Sequence, residues 1–424
     1  MTTGIGDMAV YIPRLMMRLS RLLERYALSN PTIQRILDRA IHKTGQISVR
    51  FPHLWEDAVT MAAQAAMQVL SRMSDSAIAS LRYIAVGTES ATDLAKPIAA
   101  HVGGMLRAAG FPIPNSIATF QTQHACAGGT YSLLGVNALL ALSPIRTERG
   151  LVICTDVARY APGTSAEITA GAGAVAMIAE CGCDLLELDV ASTGYASRDV
   201  DDFFRPVGAI TPRVRGSFSI HCYKETIEDA FLDHCQRTGQ TPAEVLRDTD
   251  LFAFHAPYHH LPLELMGSLV ARYLGLSGPE INRYLAERDF DASIKPAAIV
   301  GNLYSGSVFL SLASLLNRRC QRRGDAMVGE RLLMLSYGSG NTAVALSGRV
   351  AEGAPEVIRR WDMESALNHV QEAPSDDYDR WVAGDSEHAG YHTPGPAAAS
   401  GIPRDSFYLE RIRDDGYRVY ALRR

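Results

Sequence analysis

Four side chains in this sequence could together carry acyl-transfer chemistry: Cys126, Glu89, His255 and Asn302. Cysteine, histidine and asparagine serve such chemistry together, and a glutamate adds a base. Cys126 lies between a strand-like stretch, 117–120, and an apolar segment, 127–142 (AGGTYSLLGVNALLAL). That position is a helix N-terminus, where the macrodipole and free N–H groups favour the thiolate. Gly128 and Gly129 would let a substrate come close to the backbone. The competing reading of Cys126 is a buried structural cysteine. His255 ends an apolar run, 251–254, beside Pro257; a lone histidine is usually a satisfied core or surface residue. Asn302 precedes a second apolar segment, 307–316, where helix capping competes. Glu89 follows the run 83–86 and could equally be a capping acid. What favours chemistry is that all four occupy equivalent ends of elements.

Other motifs are weak. Gly171-Ala-Gly173 lacks the third glycine of a dinucleotide loop and precedes a strand, and no P-loop pattern occurs. Cys181 with Cys183, and His255 with His259 and His260, lack a paired ligand set at standard spacing. No metal is expected.

The elements that must position the four residues follow from periodicity. Residues 56–73 place Val59, Ala62, Ala63, Ala66, Val69, Leu70 and Met73 on one helical face. The runs 83–86, 151–154 and 175–178 read as buried strands, with 170–173 as a tight turn. The segment 127–142 is apolar or small nearly all round, as a central buried helix would be. The second half repeats the order: strand 251–254, buried helix 307–316, strand 332–335, a Gly-rich turn 336–340, strand 343–346. This predicts a duplicated α/β unit with two buried helices stacked at its centre. The halves are 1–184, with Glu89 and Cys126, and 185–424, with His255 and Asn302. Residues 371–406 read as surface loop, and 407–422 as a β-hairpin around Asp415-Gly416.

Bulk properties narrow the partners. The chain has 424 residues, 47% hydrophobic and 21% charged, with net charge −5 and pI near 6.2. No basic field for nucleic acid or anionic membrane is present. The pairs Arg318-Arg319 and Arg322-Arg323 read as a solvated helix end. Apolar stretches broken by Gln, Ser or Gly predict no membrane span. The N-terminus lacks the pattern of a signal peptide, which predicts a cytoplasmic protein. Seven scattered cysteines argue against a disulfide framework.

At these residues the sequence resembles the hydroxymethylglutaryl-CoA synthases. The matching pieces include Gly87-Thr-Glu-Ser-Ala-Thr-Asp93, Cys126-Ala-Gly-Gly-Thr130, Asp156-Val-Ala-Arg-Tyr160 and Asp202-Phe-Phe-Arg-Pro206. Phe254-His-Ala-Pro-Tyr258, Gly301-Asn-Leu-Tyr-Ser-Gly-Ser307 and Ser336-Tyr-Gly-Ser-Gly340 continue them in the family's order. The resemblance implies a thiolase-like fold, two duplicated halves in five αβαβα layers, and a homodimer. It implies that Cys126 takes acetyl from acetyl-CoA and that Glu89 removes a proton from the acetyl methyl. His255 would hold and polarise the ketone of acetoacetyl-CoA, and water would release the product, as in the mevalonate route to isoprenoids. Substrate contacts would fall on Asn302, Tyr160, Asp156, Asp202, Phe203, Pro257, Tyr304, Ser307, Tyr337, Gly338 and Ser339. Backbone N–H groups of the 336–340 loop and of Cys126 would suit an oxyanion hole. No cofactor beyond the CoA thioesters is implied.

Two positions depart from the family. Ala127 stands where a tyrosine is usual, and His260 where a lysine meeting the CoA phosphates is usual. A neutral histidine would hold phosphates more weakly. An alternative is therefore a polyketide β-branching synthase, acting on a ketone carried by an acyl carrier protein. A ketoacyl synthase of the Cys-His-Asn type fits less well, given Glu89 and the Ser-Tyr-Gly-Ser-Gly loop. A non-catalytic thiolase-fold scaffold would have no need of Glu89, Cys126 and His255 together.

Overall fold

The computed structural model describes residues 2–393 and 401–424. Its centre is a ten-stranded sheet system. In chain order the strands are β1 (Thr3–Tyr11), β2 (Leu81–Gly87), β3 (Ala118–Thr122), β4 (Arg149–Ala158) and β5 (Gly171–Cys181). They continue with β6 (Leu186–Leu188), β7 (Gly194–Ser197), β8 (Leu251–Phe254), β9 (Arg331–Gly338) and β10 (Thr342–Val350). The spatial order is β8-β9-β10-β6-β1-β5-β4-β2-β3, with β7 also paired to β10.

The expected duplication is visible in the pairing. In the first half β4 lies parallel to β2 and antiparallel to β5. In the second half β9 lies parallel to β8 and antiparallel to β10. A fully buried strand presents alternate residues to opposite faces, and both central strands do so. On β4, Leu151 and Ile153 join the outer core, while Val152 and Cys154 face the middle. On β9, Leu333 and Leu335 face the other outer core, while Leu332 and Met334 face the middle.

The middle layer holds the two predicted buried helices, α3 (Gly128–Leu142) and α7 (Ser307–Arg323). Leu133, Leu134 and Val136 of the one share a core with Val308, Phe309 and Leu312 of the other. Helices α1 (Ala58–Leu70) and α2 (Ile98–Ala109) cover the first sheet face. Helices α4 (Gly216–Thr238), α5 (His260–Leu274) and α6 (Phe290–Val300) cover the other. Five αβαβα layers result. Helix α1 starts where expected because Asp57 and Thr60 form a reciprocal capping box.

The structure corrects several sequence expectations. Residues 170–173 are not a turn: β5 already begins at Gly171. A Cβ on Gly171 would come within 2.6 Å of the Asn302 carbonyl oxygen, so glycine serves close approach there. Likewise Ser336, Tyr337 and Gly338 belong to β9, and only the residues after them turn. The stretch Ala125–Leu142 is after all long and apolar enough to cross a membrane by length and composition, but most of it is buried between the sheets. The 371–406 tail is not simply surface loop. Ser375–Ala383 is a helix whose Tyr378 and Trp381 pack on Phe51 at ring distances of 5.4 and 5.2 Å. Asp and other polar residues dominate that helix and hide an apolar pair at i, i+3. Residues 394–400 of the predicted loop lie outside the described residues. The terminal hairpin is present as Ser406–Ile412 paired with Arg418–Arg423.

The sheet meets α3 with no room to spare at Gly87, the last residue of β2. A Cβ there would fall 2.2 Å from the Gly129 nitrogen and 2.3 Å from its Cα. Both contacts are to backbone, so no side chain can swing away. Gly87→Ala should cost about 3 kcal/mol of stability, read as a lower denaturation midpoint.

Candidate active site

Cys126 does stand at the head of α3, but its immediate setting is a tight turn. Ala125 before it takes a left-handed conformation, φ 41°, which is costly for a residue with a Cβ. The Ala127 N–H donates to the His124 carbonyl and that of Gly128 to the Ala125 carbonyl. The turn aims the cysteine at Glu89, and Sγ lies 3.9 Å from Glu89 Oε2. Cys126 is 7% exposed and Glu89 6%.

The thiolate expected from the helix start is not the resting form. Burial pushes the Cys126 thiol well up, and Glu89, Asp156 and Asp202 add to this. Two or three buried carboxyl groups outweigh half a unit of helix charge. Glu89 is pushed up to about 8, first by burial and then by the charge of Asp156; Arg205 and the Cys126 thiol pull it back. His255, 2% exposed, is driven down to about 3 by burial. Its ring is therefore neutral at physiological pH. Among the described residues its Nδ1 has no partner, while its carbonyl accepts from the Tyr223 hydroxyl at 2.7 Å.

A cavity of about 360 Å3 gathers most of the predicted residues. Cys126, Tyr160, Phe203, His255, Pro257, Asn302, Tyr304, Tyr337 and Ser339 all line it. Asn302 is not the cap of α7; that position is Gly306. Instead its Oδ1 accepts from the Tyr304 N–H and the Ser307 hydroxyl, at 2.8 and 2.9 Å. This fixes the amide so that Nδ2 points to the Tyr160 hydroxyl, 3.4 Å away. Tyr304 stands edge-on to both Tyr160 and Phe203.

The remaining predicted contacts lie behind the wall. Asp156 is fully buried and accepts six hydrogen bonds, from the N–H and hydroxyl groups of Ser90 and Ser305, the Glu89 N–H and the Thr88 hydroxyl. It ties the Glu89 loop to the turn before α7. Asp202 accepts from the Tyr337 hydroxyl at 2.7 Å and the Gly340 N–H at 2.9 Å. It thereby pins the loop after β9 and uses up one N–H of the expected oxyanion hole. Ser307 orients Asn302, and Gly338 packs beneath Ala127. These four position the groups that face the cavity.

Sequence reasoning missed four contributors. Tyr223 holds the His255 backbone from α4. Ser90 and Ser305 sit inside quoted motifs, yet only their shared partner Asp156 reveals their task. Lys43, from the helix Pro31–Thr44, lines the cavity, and its carbonyl meets His260 Nδ1 at 2.9 Å. A cation thus stands beside the position where His260 replaces a lysine. The suspected metal cysteines are separate: Cys181 donates to the Leu140 carbonyl and Cys183 to that of Leu186.

Comparison with known proteins finds matches over both halves of the chain. Residues 2–183 match the family model for the hydroxymethylglutaryl-coenzyme A synthase N terminal, and residues 262–423 match that for its C terminal. The hydroxymethylglutaryl-CoA synthase of Haloferax volcanii is 30% identical over 366 residues, 78% of this chain and 81% of that one. The synthase of Enterococcus faecalis is 29% identical over 384 residues, 90% of this chain and 92% of the relative. The solved structure of MvaS in complex with 3-hydroxy-3-methylglutaryl coenzyme A superposes with a TM-score of 0.84, at 29% identity, over 100% of this chain and 99% of that one. The curacin-pathway HMG synthase with holo donor-ACP shares the fold, at TM-score 0.86 and 21% identity, over the whole of both chains.

Proposed function

The chain belongs to the hydroxymethylglutaryl-CoA synthase family, and we infer that it joins acetyl-CoA and acetoacetyl-CoA through an acetyl group carried on Cys126. The products are hydroxymethylglutaryl-CoA and free CoA. One observation carries the reading: Cys126 and Glu89 touch at 3.9 Å where a cavity containing a neutral histidine ends.

The Cys126 sulfur attacks the acetyl thioester, the carbonyl–sulfur bond to CoA breaks, and the departing CoA sulfur takes the thiol's proton. Glu89, as carboxylate, then lies beside the acetyl methyl and takes a proton from it. The thioester oxygen gains charge, which a backbone N–H such as that of Cys126 would meet. The carbanion adds to the ketone carbon of acetoacetyl-CoA, and the alkoxide formed takes up the proton that Glu89 removed, which returns Glu89 to carboxylate. A neutral His255 can donate a hydrogen bond to the ketone oxygen, and Asn302 Nδ2 faces the same space. Water finally cleaves the Cys126 thioester. The thioesters bring their own activation, so no cofactor is needed. Lys43 would meet phosphate on the carrier arm in place of the family's lysine.

The His260 substitution keeps a carrier-protein-bound acceptor as the second reading. Mixing purified protein with acetyl-CoA and acetoacetyl-CoA, and assaying hydroxymethylglutaryl-CoA by mass spectrometry, separates the two. Product supports the free-CoA reading. Acetylated Cys126 without product rejects it for the carrier-bound one.

A pH dependence follows from the same geometry. Glu89 acts only when ionised, and its carboxyl is raised to about 8. Condensation should therefore speed up as pH rises through about 8 and fade below it. His255, held near 3, adds no inflection there. A flat profile across this window would reject Glu89 as the base.

Among the described residues the exposed edge strand β3 pairs only with β2. Its free N–H and C=O row suits a homodimer built by joining two such edges. Seven free cysteines suit a reducing compartment such as the cytoplasm, where this route to isoprenoid precursors would run.

A further inference from the structure

The condensation consumes one water per turnover, and the substrate cavity cannot easily supply it. While the product is still held on Cys126, the thioester arm of the second substrate occupies the space lined by His255, Asn302 and Tyr304. Water must reach the Cys126 thioester by another path.

The structure contains one. A second cavity, of about 610 Å3, reaches the site at Glu89, and His255 is not among the residues that line it. Glu89 lines this cavity and not the first, while Cys126 lines only the first. The two cavities share the walls formed by Phe203 and Ser339 and meet across the 3.9 Å contact between Cys126 and Glu89.

Two polar atoms on its walls point to what it holds. Thr92 Oγ1 and Arg159 Nε are both buried, and neither has a partner among the described residues. Arg159 is only 5% exposed. Orphaned buried donors are rare in folded proteins, and ordered water is their usual partner. The surrounding wall is rigid and charged. Arg159 donates to Glu387, and Arg418 bridges Glu387 to Asp57. Glu387 and Arg418 come from the C-terminal tail, which gives that region a task its composition does not suggest.

We propose that this second cavity is the water route for hydrolysis of the product thioester on Cys126. The inference rests on the condensing reaction proposed above. Water from the cavity adds to the thioester carbonyl carbon and gives a proton to Glu89. The C–S bond breaks with its electron pair on sulfur, and the sulfur takes that proton to restore the thiol. The new carboxylic acid ionises to solvent. One water is consumed, one carboxylate and one proton are released, and no redox partner is involved.

Filling the cavity should block the last step alone. Ala209 and Ala91 line it from two different loops, and neither faces Cys126. The test follows a single turnover of Ala209→Trp and Ala91→Phe enzymes by quenched-flow mass spectrometry of the intact protein. Expected is acetylation of Cys126 within about twofold of the parent rate, and decay of the hydroxymethylglutaryl-enzyme slowed by about tenfold or more, so that this adduct accumulates. Two independent plugs guard against one variant that fails to fold. Normal decay of the adduct in both would overturn the proposal. So would equal slowing of acetylation and decay, since that is general damage to the site. If the parent enzyme itself never forms the hydroxymethylglutaryl adduct, the condensing reaction is wrong and the water route falls with it.

Discussion

Cys126→Ala is expected to form no acetyl-enzyme and to make hydroxymethylglutaryl-CoA about five orders of magnitude more slowly than the parent. The size of the effect follows from what the cysteine alone supplies. It is the site's one group able to hold the acetyl group covalently while Glu89 works on the methyl. The other cysteines cannot stand in for it. Cys154, the next one along the core, is fully buried beneath the sheet, and its thiol is pushed well up by that burial. Intact-mass measurement after mixing with acetyl-CoA checks the first part, and product assay the second. Any acetyl adduct on the alanine variant would show that another residue is the acceptor.

Glu89→Gln should separate the two halves of the reaction. Acetyl transfer to Cys126 should persist, while condensation falls by about three orders of magnitude, the loss typical of a missing general base. Glutamine keeps the shape beside Cys126 but cannot take a proton. The same change should stabilise the protein in alkali. The Glu89 carboxyl is raised from 4.5 to about 8 in the fold, chiefly because burial penalises its charge. Below the unfolded value both folded and unfolded chains carry the neutral acid, and the penalty is absent. Between pH 4.5 and about 8 the unfolded chain ionises freely while the folded protein keeps the neutral acid, so stability falls as pH rises across that window. The loss is complete once the folded group ionises near 8, and amounts to a few kcal/mol, on the order of 1.4 kcal/mol per pH unit. The Gln variant should therefore melt higher than the parent near pH 9 and equally near pH 4. Equal melting at both would mean that Glu89 ionises without penalty, and the alkaline activity limb would lose its explanation.

These two residues show how catalysis and stability oppose one another here. A base strong enough to work on a methyl group beside a thioester has to be a destabilised carboxylate. The fold supports it through Asp156, which six donors hold in place under the Glu89 loop while its charge raises the Glu89 pKa further. Asp156 is thus a tether and an electrostatic partner, not a substrate contact.

The duplicated architecture, and Cys126, Glu89, His255 and Asn302 as candidates, were legible in the residues alone. Those are local matters. Buried strands and the two central helices are apolar on every side, and the reactive residues fall where such runs stop. The sequence also carried false local signals. Glycines at 171 and 338 read as turns because close approach between distant backbones leaves the same mark as a tight bend. The tail at 371–406 read as loop because its helix is one buried pair, Tyr378 and Trp381, in polar company.

Burial, and partnerships between residues far apart in the chain, become visible only once the chain is folded. A helix N-terminus predicts a thiolate, but burial, with the carboxyl groups of residues 89, 156 and 202 adding to it, holds Cys126 as thiol. Lys43 reaches the cavity from a helix more than two hundred residues before His260. The second cavity is walled by Thr92, Arg159, Arg205 and Arg418, which no spacing in the sequence brings together. Charge energies depend on distance and solvent access in three dimensions, and a one-dimensional pattern records neither.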